Sequence, residues 1–69
     1  MSVAKVVELS STSTKSFEDA IQQGVSRAGQ TVRNIRSAWI KEMRVNVDNN
    51  RVTEYQVNMQ VTFVLDGGQ

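Results

Sequence analysis

The chain predicts an α+β fold of order β-α-β-β, in which a three-stranded antiparallel sheet wraps one helix. Three observations carry this. Residues 54–65 alternate, with Tyr55, Val57, Met59, Val61, Phe63 and Leu65 apolar and the positions between them polar until Val64. Period two of this kind marks a strand with one buried and one wet face. Phe17, Ala20, Ile21, Gly24, Val25 and Ala28 recur at helical spacing and form one apolar stripe. Between two strand-like runs stands Asp48-Asn49-Asn50-Arg51. Asparagine tolerates left-handed backbone, so a two-residue Asn-Asn loop suits a type I′ hairpin.

Composition bounds the rest. Sixty-nine residues make a single domain, 1–69. A core of this size is marginal, and small domains add disulfides, metals or oligomerisation. The chain has no cysteine and no histidine, which removes disulfides, thiolate zinc sites and the commonest general base. Self-assembly is the remaining route. The net charge is +1 with mixed signs, so no nucleic-acid partner is expected. No apolar run approaches the roughly 20 residues that span a bilayer, and Met1-Ser2-Val3-Ala4-Lys5 does not resemble a signal peptide. The expectation is a cytoplasmic protein without a membrane partner. It is also not an enzyme: Glu18 and Asp19 diverge on a helix, and no nucleophile–base set can be assembled.

The elements follow in order. Residues 3–9 read as the first strand. Ser10-Ser11-Thr12-Ser13-Thr14 reads as a loop, because hydroxyl side chains bond to nearby backbone, with Ser13 or Thr14 as the helix cap. The helix covers 14–29, with Glu18 and Asp19 early and Arg27 late, in favourable sense for the macrodipole. Gly24 costs about 1 kcal/mol against alanine inside a helix, so it predicts close approach of helix to sheet. Gly29 is the expected stop. Residues 32–34 connect to a long second strand, 35–47, and 66–69 form a frayed tail.

The two-residue loop also predicts a register. Asp48 faces Arg51 and Val47 faces Val52; extended down the hairpin, Arg44, Glu42, Ile40, Ala38 and Arg36 stand opposite Tyr55, Val57, Met59, Val61 and Phe63. Trp39, Met43, Val45 and Val47 then share the other face with Glu54, Gln56, Asn58 and Gln60. A bare apolar set of that size predicts burial by other copies of the chain. A bulge or a three-residue loop would reverse the assignment.

Several segments resemble the dodecin family over nearly the full length. They are Lys5-Val6-Val7-Glu8-Leu9 with Thr12-Ser13, Ala20-Ile21-Gln22, Ser26-Arg27-Ala28, Ile40-Lys41-Glu42-Met43-Arg44, Glu54-Tyr55-Gln56-Val57 and Val61-Thr62-Phe63 with Leu65. The resemblance implies a hollow dodecamer of cubic symmetry. It also implies a non-catalytic role in flavin storage, buffering or photoprotection, with riboflavin or FMN stacked in pairs between tryptophans of symmetry-related subunits. The family's stacking tryptophan corresponds to Ser37 here, and the chain's one tryptophan, Trp39, lies two residues later. Ile35-Arg36-Ser37-Ala38 is similar to dodecin-like proteins that lack the stacking ring. Gln56 matches the glutamine that bonds the polar edge of the flavin, and Arg44 matches an arginine placed to meet the phosphate of FMN. A second basic position near the end of the last strand is Val64. The candidate flavin-binding set is therefore Gln56, Trp39, Arg44 and Ser37. The alternative is a shell of the same architecture without the flavin site, serving as a structural or ion-binding assembly. Asp48-Asn49-Asn50 supplies oxygens of the kind calcium takes, although turn chemistry already explains those residues.

Overall fold

The structure, a computed structural model, describes residues 3–65. Strand β1 (Ala4–Ser13) leads into helix α1 (Phe17–Ala28), followed by strands β2 (Ile35–Asp48) and β3 (Arg51–Val64). The sheet is antiparallel in the order β1-β3-β2. This is the predicted β-α-β-β arrangement. The tail expected at 66–69 lies outside the described residues.

The first strand runs four residues further than its apolar pattern. Ser10, Ser11, Thr12 and Ser13 are strand, paired with Asn58, Val57, Gln56 and Tyr55. They are not the loop that their hydroxyls predicted. Pairing with the central strand satisfies their backbone, so local hydroxyl bonding has no advantage there. The helix starts later, and its N-cap is Ser16 rather than Ser13 or Thr14. The Ser16 hydroxyl accepts from the Asp19 amide at 2.9 Å. Ser13 is buried and ties the corner instead. Its hydroxyl donates to Asp19 Oδ2 at 2.6 Å and accepts from the Lys15 amide at 2.9 Å. At the other end Gly29 is the C-cap, in right-handed conformation with φ −65°. The left-handed residue of this connection is Asn34, with φ 62°.

The helix lies over β1 and β3. Ala20, Val57, Met59 and Val61 are fully buried between them, with Val7, Leu9, Phe17, Ile21, Val25, Ile35, Ala38 and Ile40 packed around. Phe17 meets Tyr55 edge-to-face at 5.2 Å. Gly24 explains itself: a Cβ there would stand 2.5 Å from Met59 Cε, 3.1 Å from Ser11 Cβ and 3.2 Å from Leu9 Cδ1. The close approach read from the sequence is present.

The helix is much shorter than the sheet. Twelve helical residues span about 18 Å. Fourteen strand residues span about 46 Å. The molecule is accordingly 52 Å long and 13 Å across its thinnest direction, and the loop end of the β2–β3 hairpin projects past Phe17 at the helix start, which meets Tyr55. Among the described residues no helix is long and apolar enough to cross a membrane.

Asn49 and Asn50 both take positive φ, 56° and 64°, and Asp48 faces Arg51 as expected of a type I′ loop. The predicted register holds at the loop and again from Ile40 to Ser37, where Trp39 faces Gln60. Between these stretches it does not. Thr53 is an extra residue on β3, and Lys41 is an extra residue on β2. Within that window Val45 faces Tyr55, Arg44 faces Gln56, Met43 faces Val57 and Glu42 faces Asn58. Met43 and Val45 therefore belong to the helix-side face, and Arg44 and Glu42 to the outer face, the reverse of the expectation. A further extra residue, Arg36, brings Ile35 rather than itself opposite Phe63.

Two stability measurements test this account. Gly24→Val should lower the stability of the protein by about 1–3 kcal/mol through overpacking, read as a lower urea midpoint. Ser16→Ala should cost about 1 kcal/mol through loss of the cap, while Thr14→Ala should leave the midpoint nearly unchanged. Equal effects at the two hydroxyls would contradict the capping assignment.

Candidate functional site

The face of the sheet turned away from the helix carries the candidate residues. It is built as cross-strand rows, because opposed residues of an antiparallel pair share a face. One row runs Thr12, Gln56, Arg44; the next Ser10, Asn58, Glu42; then Glu8, Gln60, Trp39; then Val6, Thr62, Ser37. The central strand supplies an amide in three successive rows. Each amide is bonded sideways to a neighbouring strand. Arg44 Nε donates to Gln56 Oε1 at 2.9 Å, and Gln56 Nε2 donates to Ser10 Oγ at 2.8 Å. Asn58 Nδ2 donates to Glu42 Oε1 at 3.1 Å, and Gln60 Nε2 to Glu8 Oε2 at 3.4 Å.

The four predicted residues thus fall into two groups. Gln56 and Arg44 are brought together at one end of the face. Trp39 and Ser37 are neighbours at the other, opposite Gln60 and Thr62. The row of Asn58 lies between, so Trp39 and Gln56 are about 13 Å apart along the sheet. Within one chain they do not meet. Trp39 is 70% exposed, which is unusual for a side chain whose burial is worth so much apolar area. Val6, at 49%, stands on the same face one row away.

Two shallow concavities open on this face. One, of about 540 Å³, is bordered by Glu8, Ser10, Lys41, Glu42 and Asn58. The other, of about 310 Å³, is bordered by Glu42, Arg44, Gln56 and Asn58. A groove of about 590 Å³ runs along the free edge of β1 beside the helix, past Ser11, Gly24, Arg27 and Thr31. It is slightly larger, but it holds no aromatic side chain and none of the four candidate residues. The chemistry of the outer face is hydrogen bonding by amides and a guanidinium, with one indole surface available for stacking. Arg44 uses only its Nε, so its two terminal amino groups keep no hydrogen bond among the described residues. Among these residues no three of the acidic, histidine or cysteine side chains cluster in the manner of a metal site.

Sequence reasoning missed Ser10, and it placed Glu42 on the wrong face. Ser10 was hidden in a run of hydroxyl residues with no apolar alternation to mark it as strand. Its pairing follows only from continuing the β1–β3 ladder past Leu9.

Comparison with known proteins agrees with this architecture. The Dodecin family model matches residues 3–66. A dodecin of Thermus thermophilus is 41% identical over 64 residues, covering 93% of each chain. The calcium dodecin of Mycobacterium tuberculosis is 35% identical over 69 residues, covering all of this chain and 97% of that one. Among solved structures, the dodecin from Streptomyces davaonensis superposes with a TM-score of 0.90 at 31% identity, covering 94% of this chain and 96% of that one. The chain belongs to the dodecin family.

Proposed function

We propose that this member of the dodecin family is a non-catalytic flavin-binding and storage protein, working as a homododecamer in the cytoplasm. The observation that carries the reading is Trp39, a largely exposed indole on the same sheet face as the Gln56–Arg44 pair. A tryptophan so placed has a stacking surface with no occupant within its own chain. Gln56 offers one remaining acceptor lone pair and one remaining N–H, the complement that a flavin's polar edge requires. Arg44 offers free N–H groups for the phosphate when the flavin is FMN.

The 13 Å separation sets a condition on this reading. Trp39 and Gln56 stand in separate rows of one chain, so in this reading neighbouring copies complete the site. Self-assembly has independent support. The core holds four fully buried apolar side chains. Meanwhile Met43 and Val45, on the helix-side face of β2 beside the helix, are 52% and 39% exposed. So small a core is marginal by itself, and covering this strip would add to its stability. A second copy is the partner present whenever the chain is.

The identity to a calcium dodecin supports a second reading, an ion-binding or structural shell of the same architecture. Ser37 at the position of the family's stacking ring favours it. A calcium site would then be built by acidic side chains from several copies.

Fluorescence quenching of riboflavin and of FMN on titration with the purified protein separates the two readings. The flavin reading expects quenching at micromolar protein. Trp39→Ala should weaken binding about tenfold, the loss of roughly 1.4 kcal/mol of stacking. Absence of quenching, together with calcium uptake seen by calorimetry, would favour the second reading. Light scattering should show an assembly. Met43→Lys with Val45→Lys should shift it toward the 7.7 kDa chain and abolish flavin binding although Trp39, Gln56 and Arg44 are intact.

A further inference from the structure

Gln56 is held on both sides of its amide, and its orientation follows from chemistry. The Arg44 guanidinium has donors and no acceptor. The amide atom that it meets at 2.9 Å must therefore be the oxygen. The other amide atom is then Nε2, and it meets the Ser10 hydroxyl at 2.8 Å. Ser10 lies one row toward Trp39 on β1, and Arg44 lies in Gln56's own row on β2. The carbonyl of the amide is thus fixed toward β2 and its NH₂ toward β1. Each end retains one capacity, a lone pair on Oε1 and an N–H on Nε2.

Resting on the flavin-binding reading above, we propose that Ser10 is a positioning residue that, with Arg44, fixes the Gln56 amide. The clamp makes this face select a ring edge that donates toward β2 and accepts toward β1. The imide edge of a flavin has that pattern, an N–H flanked by carbonyls. Without the clamp a free glutamine side chain samples several rotamers and both amide orientations. Ordering it on binding then costs affinity and removes the directional preference. In this role the effect of Ser10 passes through the orientation of Gln56 rather than through a bond to the ligand.

Two measurements test this. In the first, riboflavin and N3-methylriboflavin are titrated by quenching against the wild-type protein, Ser10→Ala and Ser10→Thr. The methyl group removes the donor that Oε1 would meet. The wild type should prefer riboflavin by about tenfold. Ser10→Ala should weaken riboflavin binding by about three- to tenfold, the effect of one hydrogen bond, and narrow that preference. Ser10→Thr, which keeps the hydroxyl, should retain both. If Ser10→Ala leaves affinity and preference unchanged, or if Ser10→Thr loses as much as Ser10→Ala, the positioning role is wrong. The second measurement needs no flavin. In ¹⁵N-edited spectra of the ligand-free assembly, one Gln56 side-chain amide proton should exchange slowly in wild type and Ser10→Thr, and rapidly in Ser10→Ala. An amide signal that Ser10→Ala does not move overturns the clamp. A clamp seen in a protein that quenches neither flavin removes the flavin reading and overturns the ligand selection built on it.

Discussion

The extra residue at Lys41 in β2, matched by the extra residue at Thr53 in β3, decides the composition of both faces of the sheet. The two lie on opposite strands, so one shifts the register and the other restores it. Between them the hairpin is offset by one residue, and the β2 side chains in the window change face relative to β3. Tyr55 and Val57 are thereby matched with Val45 and Met43, and Gln56 and Asn58 with Arg44 and Glu42. Like meets like on each face, and such cross-strand pairs contribute about 0.2–1 kcal/mol each. The backbone irregularity at Thr53 is partly offset by its own hydroxyl, which donates to the Asn46 carbonyl at 3.1 Å. Without the offset, Arg44 would stand opposite Tyr55 on the helix side, and Gln56 would have no guanidinium to hold its carbonyl.

The same hairpin also leaves apolar side chains uncovered. The helix is set close to β1 and β3 by the absence of a side chain at Gly24, and it packs on those two strands, leaving much of β2 beside it. Beyond it the apolar face continues uncovered. A short helix on long strands leaves an apolar strip on one face and a row of amides on the other. In the proposed reading, assembly and ligand binding occupy opposite faces of the same strands.

The polar face is ordered by hydrogen bonds across the strands. Three amides of β3 in successive rows are each tied to β1 or β2 by side-chain hydrogen bonds. Preorganisation of this kind lowers the entropic cost of binding. It acts on Gln56 from both sides and leaves Trp39 unconstrained at the other end.

The sequence by itself determined the element order, the type I′ loop at Asn49-Asn50, the helix stripe, the close approach at Gly24 and the family. Each rests on a periodicity or a local backbone preference, which neighbouring residues encode. The dodecin resemblance also picked out Gln56 and Arg44, which the structure places 2.9 Å apart. Only the tertiary structure decided which residues share a face. The apolar pattern of residues 35–47 is compatible with more than one register, and two compensating extra residues leave no mark in composition. It also decided that Ser10 to Ser13 are strand, because their partners lie more than forty residues away on β3. Finally it separated Trp39 from Gln56 by an intervening row, a distance along the sheet that follows from pairing across strands and not from the residues around either one.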